Sequence, residues 1–241
     1  MIASVHNSLV KHLVQIRESK KYRNEQQSLI VSGFKLVKEI ATCCVPKKLF
    51  VENLADALPC PEVYQVTEPV LKKITGLVSP EPIAAEFPLP KPSTLIHHSP
   101  LLVLDSIRDP GNLGTLMRTA LALGWKGIFF LPSCTDPFGD KAVRASRGAL
   151  FKLSWKEGTW EELVQLKKQE NFQAYIADVE GLSLEKCPRS DKILLLLSNE
   201  AQGMSARSES FGQKITIPMK GEMESLNVAV AGAILMYYMH G

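Results

Sequence analysis

Three short segments of this 241-residue chain hold residues whose types and spacing could do chemistry. The first starts at Asn112, keeps small residues at Gly114 and Thr115, and reaches Arg118 six positions on. The second ends an apolar run, Leu194 to Leu197, in Ser198, Asn199 and Glu200, with Gly203 closing the turn. The third is Ser225-Leu226-Asn227, between a strand-like stretch (Lys214 to Ile217, running into Pro218-Met219) and an apolar helix pattern from Leu226 to Met239. The start of a helix leaves backbone N–H groups without intrahelical partners, so it can grip a polar or anionic ligand. Ends of parallel strands are likewise where ligands sit in open α/β sheets. Each segment also has a plainer account: Ser225 is a good N-cap, Pro110-Gly111 is ordinary turn chemistry, and an arginine near a helix start is usually a surface residue. Neither GxGxxG nor GxxxxGK[ST] occurs, which excludes a dinucleotide or P-loop fingerprint.

The elements that must position these segments alternate in type. Residues 79–93 contain five prolines, and proline suits neither a helix interior nor a central strand. This stretch reads as a short edge strand, Ile83 to Phe87, followed by an extended linker. The domain boundary is therefore expected near residue 92, giving 1–92 and 93–241. Before it the pattern predicts helices at Ser8–Ser19, Lys35–Ala41 and Glu68–Thr75, with strands at Ser28–Ser32 and Lys48–Val51. After it come strands at Leu101–Asp105, Gly127–Leu131, Gln173–Asp178 and Lys192–Leu197, and helices at Leu113–Leu123 and Trp160–Glu170. Short apolar strands alternating with helices imply a parallel sheet covered on both faces. The expected class is α/β, a parallel-sheet domain behind a small α/β domain.

Composition is that of a globular domain, with no run of about 18 apolar residues that would span a bilayer. A cytoplasmic protein is expected. Five cysteines, odd in number and without ligand spacing, read as free thiols rather than a metal site. Net charge is +3, but residues 1–48 hold nine Lys/Arg against three Glu. A basic N-terminal region suits a polyanion, although a solvated helix face would look the same.

Taken together, NLGTLMRTA, LSNEAQGMS and IPMKGEMESLNVAVA resemble motifs one, two and three of the SpoU (TrmH) family of RNA ribose 2′-O-methyltransferases. DPFGDKAVRASRGALF (136–151) resembles the connection between them, and SLIVSGFKLVKEI (28–40) the small substrate-binding domain of ribosomal-RNA members. The resemblance implies a trefoil knot, a homodimer, and S-adenosylmethionine held by Ser198, Asn199, Gly203, Ile217, Met219, Ser225, Leu226 and Asn227, with no metal. It also implies that Arg118 acts on the ribose hydroxyl while Asn112 and Glu200 position the reactants. A guanidinium stays protonated in proteins, so it suits a stabiliser of developing alkoxide charge better than a general base. RNA contacts are expected from Lys20, Lys21, Arg23, Arg144 and Arg147. Ribosomal RNA is the expected substrate, with transfer RNA and a catalytically silent RNA-binding factor as the alternatives. Ser198, Ala229 and Arg147 depart from residues common in the family.

Overall fold

The computed structural model describes residues 1–188, 190–198 and 210–240. The chain forms two units, one of residues 1–90 with 138–151, the other of 91–137 with 152–241. Sequence marks one boundary, near residue 92; the chain itself passes between the units after Pro90, Pro137 and Phe151.

The first unit is built on a mixed sheet of β1 (Ser28–Ser32), β2 (Lys48–Val51), β3 (Val63–Gln65) and β4 (Ile83–Pro88), in the order β1-β4-β2-β3. Strand β4 runs antiparallel to both β1 and β2, so it is central and not the expected edge strand. Its prolines explain the difference: they flank the run Ile83–Phe87 without interrupting it, and every N–H the ladder needs is present. Glu86, buried in this strand, is satisfied by Lys48 at 2.9 Å and by the Ser28 hydroxyl at 2.7 Å. Helices α1 (Ser8–Glu18) and α4 (Glu68–Thr75) pack Val10, Leu13 and Ile16 against Val70, Leu71 and Ile74 over Ile30 and Phe50. Helix α2 (Lys20–Gln26), unforeseen in the sequence, follows α1 with Ser19 as its N-cap. Residues 138–151 belong to the same unit. They contribute the later-numbered helix Asp140–Ser146, and Gly148 approaches Ile40 of α3 (Phe34–Ala41) so closely that a Cβ would lie 2.7 Å from its Cδ1.

The second unit is a six-stranded, wholly parallel sheet, as expected. It comprises β5 (Leu101–Asp105), β6 (Gly127–Phe130), β7 (Ser154–Glu157), β8 (Gln173–Ser183), β9 (Ile193–Ser198) and β10 (Gln213–Thr216), ordered β10-β8-β9-β5-β6-β7. Chain order thus numbers the helices α5 (Pro110–Ala122), α6 (Asp140–Ser146), α7 (Trp160–Glu170) and α8 (Val228–His240). Successive strand residues face opposite sides. Leu101, Val103, Leu194 and Leu196 meet Leu163 and Leu166 of α7, and the other face takes α5 and α8. Helix α8 lies close: a Cβ on Gly232 would come 2.4 Å from Leu116 Cδ2 and 2.6 Å from Leu197 Cδ1. The Trp125 indole also donates to the Met236 carbonyl at 3.3 Å.

Candidate active site

Strand β5 leads on to β6 on one side, whereas β9 leads on to β10 on the other. Their carboxyl ends therefore flank the point where the strand order reverses, the usual crevice for ligands. Asp105 and Ser198 are register partners at that point. Strand β8 runs five residues past its expected end. Its register jumps from Ile176 opposite Lys214 to Leu182 opposite Ile215, so residues 177–181 arch away from the ladder. Lys214 pairs with Asp178 at 2.9 Å across the arch, and Gly181 lets the Ile215 backbone approach to 2.4 Å from where a Cβ would be. Burial pushes the Asp178 carboxyl up, but the Glu180 N–H and Lys214 more than offset this and hold it below the ordinary range.

Helix α5 begins two residues before Asn112. Pro110 takes the first helical position, where its missing N–H costs nothing, and Asp109 caps the helix by accepting from Asn112 N at 2.7 Å. Leu113, Leu116 and Met117 are buried, while Thr115 and Arg118 are exposed. The N-cap of α8 is Asn227, not Ser225: its Oδ1 accepts from Ala229 N at 2.9 Å and from Val230 N at 3.4 Å. Both residue types cap well, and the helix starts at the one adjoining its first buried turn.

One contact ties the first and third segments together. Asn227 Nδ2 donates to Asn112 Oδ1 at 3.2 Å. Because Asn227 Oδ1 is occupied by the helix start, its amide nitrogen donates to Asn112 Oδ1, which leaves the Asn112 amide nitrogen as a donor without a partner among the described residues. Sequence spacing gave no sign of this pair. Ile217, Ser225 and Leu226 are half-buried and Met219 is exposed. Asn199, Glu200 and Gly203 lie outside the described residues.

The expected RNA contacts fall out unequally. Arg23 is 2% exposed, and its guanidinium donates to the Ile16 and Arg17 carbonyls at 2.9 and 3.1 Å, closing the end of α1. It is thus a structural group, which charge clustering alone could not distinguish. Lys20 and Lys21 are exposed on α2. Arg144 pairs with Asp140, and Arg147, in the left-handed region at φ 53°, pairs with Glu39 at 2.9 Å.

Beside the crevice, burial pushes the Asp105 carboxyl up, with the Ser106 hydroxyl at 3.0 Å pulling it back. Burial also pushes the Cys134 thiol up to about 12, and its Sγ lies 3.1 Å from the Leu104 carbonyl. The thiolate is the reactive form, so raising the pKa removes reactivity at every pH below it. Iodoacetamide at mildly alkaline pH should therefore alkylate exposed Cys43 in the native protein and spare Cys134, as read by peptide mass spectrometry. Equal labelling would contradict the burial.

A six-stranded parallel-sheet ligand-binding unit, in one chain with a smaller mixed-sheet unit, is the class these features define. Residues 99–237 match the SpoU rRNA methylase family and residues 7–85 the MRM3-like substrate-binding domain, and the chain belongs to the SpoU family. The 23S rRNA (guanosine(2553)-2′-O)-methyltransferase RlmP of Bacillus subtilis is 29% identical, the match covering 100% of this chain and 99% of that protein. An uncharacterised tRNA/rRNA methyltransferase of Synechocystis is 32% identical over 98% of this chain and 92% of its own length. The AdoMet-bound rRNA methyltransferase of Sinorhizobium meliloti superposes with a TM-score of 0.85 at 28% identity, covering 99% of this chain and 96% of that one. The chain is thus an RNA ribose 2′-O-methyltransferase that uses S-adenosylmethionine.

Proposed function

We propose that the protein methylates a ribose 2′-hydroxyl of ribosomal RNA of the 23S type, in the cytoplasm, as a homodimer. The amide pair Asn227–Asn112 carries this reading, since it couples the starts of α8 and α5 and leaves the Asn112 amide nitrogen without a partner among the described residues. The residues also suit the cofactor. Among the described residues the backbone N–H groups of 219–226 donate to nothing, and Ile217, Met219 and Leu226 offer apolar surface beside them. Such a cradle fits an adenosine and a methionine end, with Ser198 and Ser225 supplying hydroxyls. The bound cofactor supplies an electrophilic methyl group on a sulfonium.

The chain's own groups do the rest. Arg118, exposed and without an ion-pair partner among the described residues, stabilises negative charge developing on the ribose oxygen. Asn112 orients the nucleotide through its free amide nitrogen, and Glu200 positions the ribose. The candidates for phosphate contact are Lys20 and Lys21, exposed on α2, and Arg144 and Arg147, which already pair with Asp140 and Glu39. Incubation with tritiated S-adenosylmethionine and total RNA from cells lacking the gene should label the ribosomal RNA. Label confined to transfer RNA would overturn the substrate.

The homodimer is supported by α8, where Val230, Ile234, Tyr237 and Tyr238 form one exposed apolar stripe, Tyr237 at 73%. The double variant Ile234→Glu/Tyr237→Glu should sediment as a monomer and lose methyl transfer, whereas the parent sediments as a dimer. A monomeric parent with full activity would dismiss the dimer.

A further inference from the structure

The first unit holds a groove of roughly 680 Å³ made entirely of its own residues. One wall is the N-terminal segment, fixed where Ile2 N donates to the Gln65 carbonyl at 2.8 Å and Thr67 N to the Ile2 carbonyl at 3.3 Å. The other walls are α1 and α4, joined at their far end by Arg17, which donates to the Lys73 and Ile74 carbonyls at 3.3 and 3.2 Å. The close seat of Arg17 depends on Gly76, at φ +71°, where a Cβ would fall 2.1 Å from the guanidinium. The groove is therefore preformed.

Its lining divides by chemistry. Val5, Val14 and Pro69 supply apolar surface, while Lys11, Lys72 and Lys73 supply cations. Lys72 is paired with Glu68 at 2.8 Å. Lys11 and Lys73 have no acidic partner among the described residues. Gln15, also in the lining, offers both a donor and an acceptor. Lysine is a compact point charge suited to phosphate oxygens, and an unpaired RNA presents both phosphates and bases free to turn outward. A groove this size admits one base with its flanking backbone.

We propose that this groove binds an unpaired stretch of the substrate RNA. Lys11 and Lys73 hold phosphates, one base lies on Val14 and Pro69, and Gln15 meets that base's edge. The proposal rests on the RNA-methylating function above and adds a docking site separate from the residues that act on the ribose.

The test uses the full chain, a short fluorescein-labelled single-stranded RNA, and the same sequence as a duplex, read by anisotropy across a salt series. Lys11→Gln/Lys73→Gln should bind the single strand about tenfold more weakly at low salt. The slope of log affinity against log salt should flatten by about 1.4, since each lost phosphate contact removes about 0.7 for single strands. The exposed pair Lys168→Gln/Lys186→Gln is the charge-matched control and should bind like the parent. Unchanged affinity and slope in the groove variant would overturn the proposal, as would an equal loss in the control or preference for the duplex. Methyl transfer to ribosomal RNA by the parent is measured alongside. If the parent methylates RNA and the groove variant binds normally, only the groove fails; if the parent labels no RNA, the underlying function fails.

Discussion

Arg118→Ala is expected to bind S-adenosylmethionine as the parent does and to lose about 10²- to 10³-fold in methyl-transfer rate, the usual cost of removing one group aimed at transition-state charge. Arg118 is exposed on α5, whose buried side is carried by Leu113, Leu116 and Met117, so truncation opens no cavity. Surface changes of this kind shift stability by about 0.5 kcal/mol or less, so unfolding would not account for lost turnover. Arg118→Lys should recover only part of the rate, because it keeps the charge and loses the planar fork. Calorimetry with the cofactor and single-turnover kinetics together make the test. Undiminished turnover in Arg118→Ala would remove the residue from the mechanism, and lost cofactor affinity would reassign it to the pocket.

Gly232→Val should damage stability and activity together. Even a methyl group here would sit 2.4 Å from Leu116 and 2.6 Å from Leu197, inside contact distance of both. Overpacking of this kind costs about 1–3 kcal/mol, and in a chain of this size each kcal/mol lowers Tm by roughly 2–4 °C. Leaving glycine gains less than about 1 kcal/mol of helix propensity, which offsets only part of that. The two obstructing side chains also belong to the elements that bear the site. Leu197 precedes Ser198, and Leu116 lies between Asn112 and Arg118. Displacing α8 should stretch the 3.2 Å bond from Asn227 to Asn112. The expected result is a Tm lower by about 5–10 °C, with methyl transfer reduced well below the new Tm. An unchanged Tm would mean that α8 tolerates a wider spacing.

Periodicity located most of the framework because burial dictates it. Ser28–Ser32, Glu68–Thr75, Leu101–Asp105 and Trp160–Glu170 occupy the spans their patterns predict. Features set by partners distant in sequence were hidden. Strand β4 reads as an edge until β1 and β2 are seen on either side of it. The arch of β8 depends on its pairing with β10, and Arg23 looks like a ligand contact until the carbonyls of Ile16 and Arg17 surround it. For the site, the described parts of the motifs fall at the end of β9 and at the starts of α5 and α8. Which amide faces which required the fold, since Asn112 and Asn227 are 115 residues apart.

The return of residues 138–151 to the first unit bears on inheritance and engineering. Ala142, Val143, Ala149 and Leu150 are buried there, and Phe151 meets Phe87 edge-on with ring centres 5.7 Å apart. The substrate-binding unit is consequently not a bead that can be exchanged by cutting the chain once near residue 91. A chimera must carry both stretches from the same parent or leave four apolar side chains without a host. Over evolutionary time, substitutions in α3 and β4 and those in 138–151 are bound to one another, although 50 to 117 positions of chain separate them.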